Sequence, residues 1–335
     1  TDPKRDLVLA FGAFQPSYAK NLGIFAIHGP GIGAGLVESA TTRRAGYVAL
    51  QDLAPTVLTQ LGIEVPTSME GRPVEPTRGG GTLTQHVHRL ARENRASMFR
   101  DAVIGTAMVA LAVTVVIVTL LGLAVLLLPP LARFRRLYAF LCLSVLGLIA
   151  ATFLTEPFAF ATWGAGPYWI AVTVFALAFG AVALAFRRVS WMLPVMVATG
   201  AIVVLHTVDI VLGAHLQFAT VFGYSPTVGV RVAGIGNPAS AQLSASALIL
   251  ATLLVGRLGA RRGLPVAAAL LGAVLVVIAA PPWGQDFGGA ISNAPAFGVF
   301  LWLVSGRRIT KRTVAWFAGA LVAAGLAVGF LDLLR

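Results

Sequence analysis

Residues 102–128 read AVIGTAMVALAVTVVIVTLLGLAVLLL, a run with no charged side chain, and about 20 such residues suffice for a helix to cross a bilayer. Working outward from it, seven more apolar stretches follow, at 137–154, 167–186, 191–213, 240–255, 263–280, 287–304 and 313–334. They account for the composition. The chain of 335 residues is 57% apolar and 11% charged, with a mean hydropathy of +0.84, whereas soluble domains carry roughly 25% charged residues. The expected fold class is therefore mainly α: a polytopic helical membrane bundle of about eight transmembrane helices. Two stretches look unusual. Residues 240–255 are short for a span, and 287–304 contain Gly288, Gly289, Asn293 and Pro295, so either is expected to be a broken or re-entrant segment.

Basic residues alternate between the connections. Arg133, Arg135 and Arg136, then Arg187 and Arg188, then Arg257, Arg261 and Arg262, then Arg307, Arg308, Lys311 and Arg312 occupy every second one. The three connections between them hold a single basic residue, Arg231. Positive charge is retained on the cytoplasmic side, so eight spans with this parity place the N-terminal part of the chain outside the cytoplasm. Trp163, Trp169, Trp191 and Trp283 fall at expected interfaces, as an aromatic belt would. The net charge of +12 is scattered in these short clusters and forms no nucleic-acid surface, so no nucleic-acid partner is expected. Cys142 is the single cysteine, which excludes an intrachain disulfide and a cysteine-based zinc site.

Charge density divides the chain near residue 101, with 20 of the 38 charged residues before that point. Three parts are expected: a partial extracytoplasmic α/β domain over 1–84, a juxtamembrane linker helix over 85–101, and the membrane domain over 102–335. Within the first, 6–12 and 22–27 read as short buried strands, and 47–62 as a strand entering a helix. Asp52 suits the N-cap, Pro55 the first turn, and Val57, Leu58 and Leu61 form an apolar face ending at Gly62. His86 and His88 would share one face of a strand but not of a helix, and the charged, helix-prone run around them favours the polar helix over a metal pair. The chain opens at Thr1 without a signal-type segment although its first part is expected outside the cell, so it reads as the C-terminal part of a longer protein.

The stretch YVALQDLAPTVLTQLGIEVPTSMEGRPV, residues 47–74, resembles the C-terminal part of the alkaline phosphatase and sulfatase superfamily. The matching positions are Asp52, Ala54, Pro55, Thr56, Leu61, Gly62, Ile63, Pro66, Met69, Gly71 and Arg72. Ile27-His28-Gly29-Pro30-Gly31-Ile32 is similar to a strand and loop that precede this unit in the family. The resemblance implies hydrolysis or transfer of phosphate, sulfate or phosphonate esters with two metal ions held by Asp and His. Where the family carries an Asp-His-Gly ligand motif, this chain continues Ala13-Phe14-Gln15. His28 reads as a structural histidine, so no metal ligand is assigned here and a divalent metal is implied only if its ligands lie upstream of Thr1. Arg43 and Arg44 read either as a solvated pair or as a contact for an anionic head group.

Ionisable groups in or beside spans are costly, and each is a candidate for function. Glu156, His206 with Asp209 three residues on, His215, Tyr224, Arg231, Asn237, Asp286 and Asn293 all fall toward the outer end in this topology. They suggest a polar cavity in which Asp209 and Asp286 supply carboxylate bases while Arg231, Asn237, His206 and Glu156 bind an anionic or polyol head group. Alternatively Arg231 pairs with Asp209 or Glu156 in a structural ion pair. Gly234, Gly236 and Asn237 permit a turn whose N–H groups approach a ligand. Arg-x-x-Gly-x-Gly-Asn-Pro, ending at Pro238, looks like the periplasmic loop of O-antigen-ligase-type enzymes, where a basic residue contacts a polyprenyl diphosphate. Together with Trp283-Gly-Gln-Asp-Phe-Gly-Gly289, the whole resembles large envelope membrane proteins of actinobacteria. The resemblance implies a multi-pass protein of the bacterial plasma membrane. Its expected partners are the bilayer and a lipid-linked or anionic envelope precursor; the resemblance supplies no activity, and if the protein is an enzyme it is expected to be a phosphoric or sulfuric ester hydrolase or an envelope glycan transferase. A transporter or flippase, or a non-enzymatic scaffold, stand as the other classes.

Overall fold

The computed structural model describes residues 6–12, 22–77, 80–227, 232–306, and beyond these 308, 310–313, 315, 319 and 322. The expected last span, 313–334, and Arg231 lie outside the described residues, apart from the few positions named.

Helices dominate. Among the described residues six are long and apolar enough to cross a membrane: α2 (Leu83–Leu127), α3 (Arg135–Leu154), α5 (Ala165–Ala185), α6 (Leu193–Val211), α7 (Asn237–Ala279) and α8 (Phe287–Val304). A four-residue helix α4 (Phe160–Trp163) stands between α3 and α5. The stretch around 240–255 is extended by flanking residues, and α8 runs through Pro295 as one helix.

α7 is one helix in name only. Gly259 departs from helical geometry with φ 75 and ψ 160, and a Cβ added to Gly263 would lie 2.5 Å from the Cα of Val255. Residues eight apart in a straight helix are separated by about 12 Å, so the chain turns back on itself here. Arg257, Arg261 and Arg262 mark the bend. The two arms match the expected stretches 240–255 and 263–280.

Neighbouring helices run antiparallel wherever small residues report their approach. A Cβ on Gly122 would collide with the Tyr138 hydroxyl, on Gly147 with the Phe179 ring, and on Gly180 with the Ser144 hydroxyl. Glycine at these points lets backbones pack where apolar side chains gain nothing by leaving lipid. The core of the bundle contains Phe153, Ile202, Ile210, Leu243, Ala247, Ala251, Leu271 and Ile278, all buried. The apolar part of α2 remains largely uncovered, with Val109, Val113, Val116 and Leu120 exposed.

The N-terminal part differs from expectation. In place of a strand-then-helix layer, the described residues form two separate antiparallel pairs: β1 (Val8–Phe11) with β2 (Phe25–His28), and β3 (Val37–Ser39) with β4 (Val74–Pro76). Residues 47–49 enter a short 3₁₀ turn rather than a strand, and α1 (Leu53–Gln60) follows. Asp52 is fully buried, and its side chain makes no N-cap bond to α1. Its carboxylate instead gathers donors from both sides of the chain, accepting from Ser39 Oγ at 2.6 Å, Thr41 Oγ1 at 2.6 Å, Ala49 N at 2.9 Å and Arg72 N at 3.0 Å. Thr56 Oγ1 donates to the Asp52 carbonyl and accepts from Val74 N. Gly71 is required because a Cβ there would collide with the Gln51 carbonyl. The motif residues Asp52, Thr56, Gly71 and Arg72 thus tie β3, α1 and β4 into one knot.

The linker expected over 85–101 is helical but separate from nothing: α2 runs unbroken for 45 residues from the polar part into the span. Thr82 starts it, its Oγ1 accepting from Gln85 N at 3.3 Å while Gln85 Oε1 accepts from Thr82 N at 2.9 Å, a reciprocal cap.

Candidate functional site

The connections poor in basic residues gather with the N-terminal part at one end of the bundle. Arg43 Nη1 donates to the Pro281 carbonyl at 2.6 Å, and the Tyr47 ring meets the Phe218 ring edge-on with centroids 5.1 Å apart. Tyr47, Phe218, Tyr224 and Val232 form a small buried cluster of their own. Asp101 on α2 accepts from Ser225 Oγ at 3.0 Å, from Thr227 Oγ1, and from Arg100 Nη1 at 2.9 Å, which fastens the connection after α6 to the base of the polar rod.

Arg44 occupies the middle of this junction. Its guanidinium lies 3.8 Å over the centre of the Phe218 ring, a cation–π contact. Among the described residues it forms no ion pair, and its buried Nε has no hydrogen-bond partner. Tyr47, Glu93 and Arg89 share its surroundings. Tyr47 donates to Glu93 Oε2 at 2.7 Å, and Arg89 Nε donates to Glu93 Oε1 at 2.9 Å, so the Glu93 carboxylate is engaged. Burial and the adjacent Glu93 charge raise the Tyr47 phenol above its ordinary value and keep it protonated, against the opposing pull of Arg44 and Arg89.

Glu156 follows α3, and its side chain reaches the surface. Protein atoms nevertheless crowd water from part of it, and this desolvation raises its carboxyl above the usual range. Arg44 and His215 pull it down, while Asp209 and Glu93 push it further up. Thus Glu156 stands within electrostatic reach of Asp209 and His215, both also expected from the sequence, and of Arg44.

The other candidates brace the loop between α6 and α7. Asp209 Oδ1 accepts from Leu216 N at 2.8 Å and Oδ2 from Gln217 Nε2 at 3.0 Å. Gln217 is itself fully buried, and its Oε1 accepts from Gly236 N at 3.3 Å. Asn237 opens α7 directly after Gly236. On the other side of that loop, Ile235 N donates to the Gly284 carbonyl at 2.9 Å, and Gly234 has a positive φ of 81 where a Cβ would strike the same carbonyl. Asp286 caps α8, accepting from Gly289 N at 2.9 Å, next to Ser240 of α7. Asp209 thus braces the 232–237 turn through Gln217, and Asp286 caps α8 two residues after Gly284, which holds the same turn.

His206 is deeper, with no exposed surface, its Nε2 2.9 Å from Gln242 Oε1 and its ring edge-on to Phe153. Sequence reasoning missed Gln242, Gln217 and Phe218. Gln242 was visible as an amide in an apolar stretch, whereas Phe218 carried no signal.

Among the described residues no three His, Cys, Asp or Glu side chains are grouped to hold a metal. The residues present thus do not fit the two-metal centre that the superfamily resemblance implies. Comparisons with protein-family models, with curated proteins and with solved structures find no match.

Proposed function

We propose that the chain is an eight-span protein of the bacterial plasma membrane, its N-terminal part outside the cytoplasm, that binds the anionic head group of a lipid-linked envelope precursor at Arg44. The observation that carries this is the Arg44 guanidinium: without an ion pair among the described residues, stacked on Phe218 and set at the end of the bundle where the connections poor in basic residues meet. A guanidinium offers a planar fork of donors matched to phosphate or carboxylate, and an aromatic platform spares it competing hydration. The alternation of basic connections supports the orientation. Glu156 beside the bound group would be the proton acceptor or donor of any ester transfer. The knot centred on Asp52 is compatible with descent from an alkaline phosphatase-like domain, in which case these residues hold the scaffold and chemistry belongs elsewhere.

Binding of a polyprenyl phosphate to the protein in phosphatidylcholine nanodiscs tests the reading. Saturable binding that Arg44→Gln weakens at least about ten-fold, with the uncharged polyprenol failing to compete, is expected; equal affinity in the variant would exclude Arg44 as the head-group contact. A flippase is the second reading. It is favoured by the polar seam between α6 and α7, where His206 Nδ1, Thr207 Oγ1 and Ser244 Oγ are buried without hydrogen-bond partners.

A further inference from the structure

The polar half of α2 carries a second basic feature, distinct from Arg44. Gln85, His88, Arg89, Arg92 and Arg95 line an open groove of about 430 Å³ along one face of the helix. His88 and Arg92 are four residues apart, and Arg92 and Arg95 three, so the three side chains stack on one stripe. Arg89 is ion-paired to Glu93. Arg92 and Arg95 are exposed and form no ion pair among the described residues. Like charges at these spacings destabilise a helix, and an anion laid along the stripe removes that cost.

The rigid rod fixes how far each of these side chains stands from the bilayer. At 1.5 Å per residue, Arg95, Arg92 and His88 lie roughly 10, 15 and 21 Å before Ala102, the first residue of the apolar run. The head-group layer adds only about 5 to 8 Å on each side of the hydrocarbon core. Even a tilt of about 40° leaves Arg92 and His88 near 12 and 16 Å, beyond that layer. A flat lipid surface therefore does not reach the stripe. A chain of anions running along the rod does, meeting a nitrogen donor about every 5 Å. No Phe, Tyr or Trp lines the groove, so it lacks the large aromatic platforms on which a single-stranded nucleic-acid site stacks successive bases.

We infer that this face of α2 binds a linear anionic polymer bearing phosphate or carboxylate groups, held along the rod by His88, Arg92 and Arg95. Arg89, whose Nη2 also donates to the Ala45 carbonyl at 3.5 Å, connects the groove to the junction around Arg44. The polymer need carry no lipid, so the stripe stands or falls separately from the head-group reading.

The experiment measures binding of fluorescent long-chain inorganic polyphosphate to the full chain in phosphatidylcholine nanodiscs across a salt series. R92Q/R95Q is expected to lower affinity at least about ten-fold and to reduce the slope of log affinity against log salt by about two, one for each cation removed. R92K/R95K keeps most of the affinity. Both positions are exposed, and unchanged helicity by circular dichroism verifies that the variants fold. Three results overturn the inference: equal affinity in R92Q/R95Q, loss of polymer binding when phosphatidylglycerol is added to the nanodisc to the same degree as in R92Q/R95Q, or tighter binding of single-stranded DNA of matched charge.

Discussion

Replacing Asp209 by asparagine separates a loop clamp from a catalytic base. In the native arrangement Asp209 accepts from Leu216 N and Gln217 Nε2, and Gln217 passes the chain of bonds on to Gly236 N. An asparagine keeps an oxygen for Leu216, but its amide then faces the Gln217 amide, donor to donor. Flipping Gln217 only moves the conflict to Gly236, whose N–H loses its acceptor. The substitution thus removes one charge-assisted bond, worth about 1.5–3 kcal/mol, and leaves a buried donor unsatisfied at about 1–3 kcal/mol. Relaxation recovers part, so about 2–4 kcal/mol is expected, or roughly 30- to 700-fold more opening of the loop at 1.4 kcal/mol per factor of ten. D209N/Q217E restores the pattern: the new carboxylate accepts from the introduced asparagine amide on one oxygen and from Gly236 on the other. Protease sensitivity of the 212–236 connection, read by mass spectrometry in nanodiscs, should rise in D209N and return near the wild-type value in the double variant. Polyprenyl phosphate binding should follow it. A double variant as labile as D209N would refute the clamp. A double variant that is stable and binds, yet turns over none of a substrate that wild type converts, would assign Asp209 to chemistry.

Two further outcomes are expected. Asp52→Ala strips four hydrogen bonds from a buried carboxylate and should cost about 3–5 kcal/mol, seen as rapid proteolysis of residues 22–77 while the helical bundle keeps its circular dichroism; survival at wild-type rates would remove Asp52 from the centre of the knot. Because the Glu156 carboxyl is raised, it takes up its proton at higher pH than an ordinary glutamate, so its negative charge beside Arg44 fades as the pH falls through that value. Affinity for a sulfated lipid, whose own charge does not change, should therefore rise toward acid pH, and Glu156→Gln should flatten the profile at the acid-side value; an unaltered profile in the variant would refute the coupling.

The spans were legible because hydropathy is a property of each stretch alone: α8 matches the expected 287–304, and α3, α5 and α6 begin and end within about two residues of theirs. The bend in α7 was legible too, since the Arg257–Arg262 cluster separates two apolar stretches. The continuity of α2 was less so. The change in charge density at Asp101 reads as a boundary, yet no Gly or Pro interrupts the chain between Leu83 and Ile104, and a helix without a stop signal continues. Strand direction around β1 and β2 is set by pairing partners and not by composition. In the candidate site, Glu156 and Asp209 announced themselves by the cost of placing carboxylates beside apolar spans. Arg44 did not, because what distinguishes it from a solvated arginine is Phe218, which the fold brings from far along the chain.

The unbroken α2 also has a mechanical meaning. A rod without a hinge cannot lean at its outer end while its inner end stays still. A tilt of about 10° at the bilayer surface displaces the tip near Leu83 by roughly 5 Å, and it swings Leu127 at the other end the opposite way. Load borne by the polar half is thereby delivered to the far side of the bundle as a lever delivers it, with Asp101 and its grip on Ser225 and Thr227 near the fulcrum.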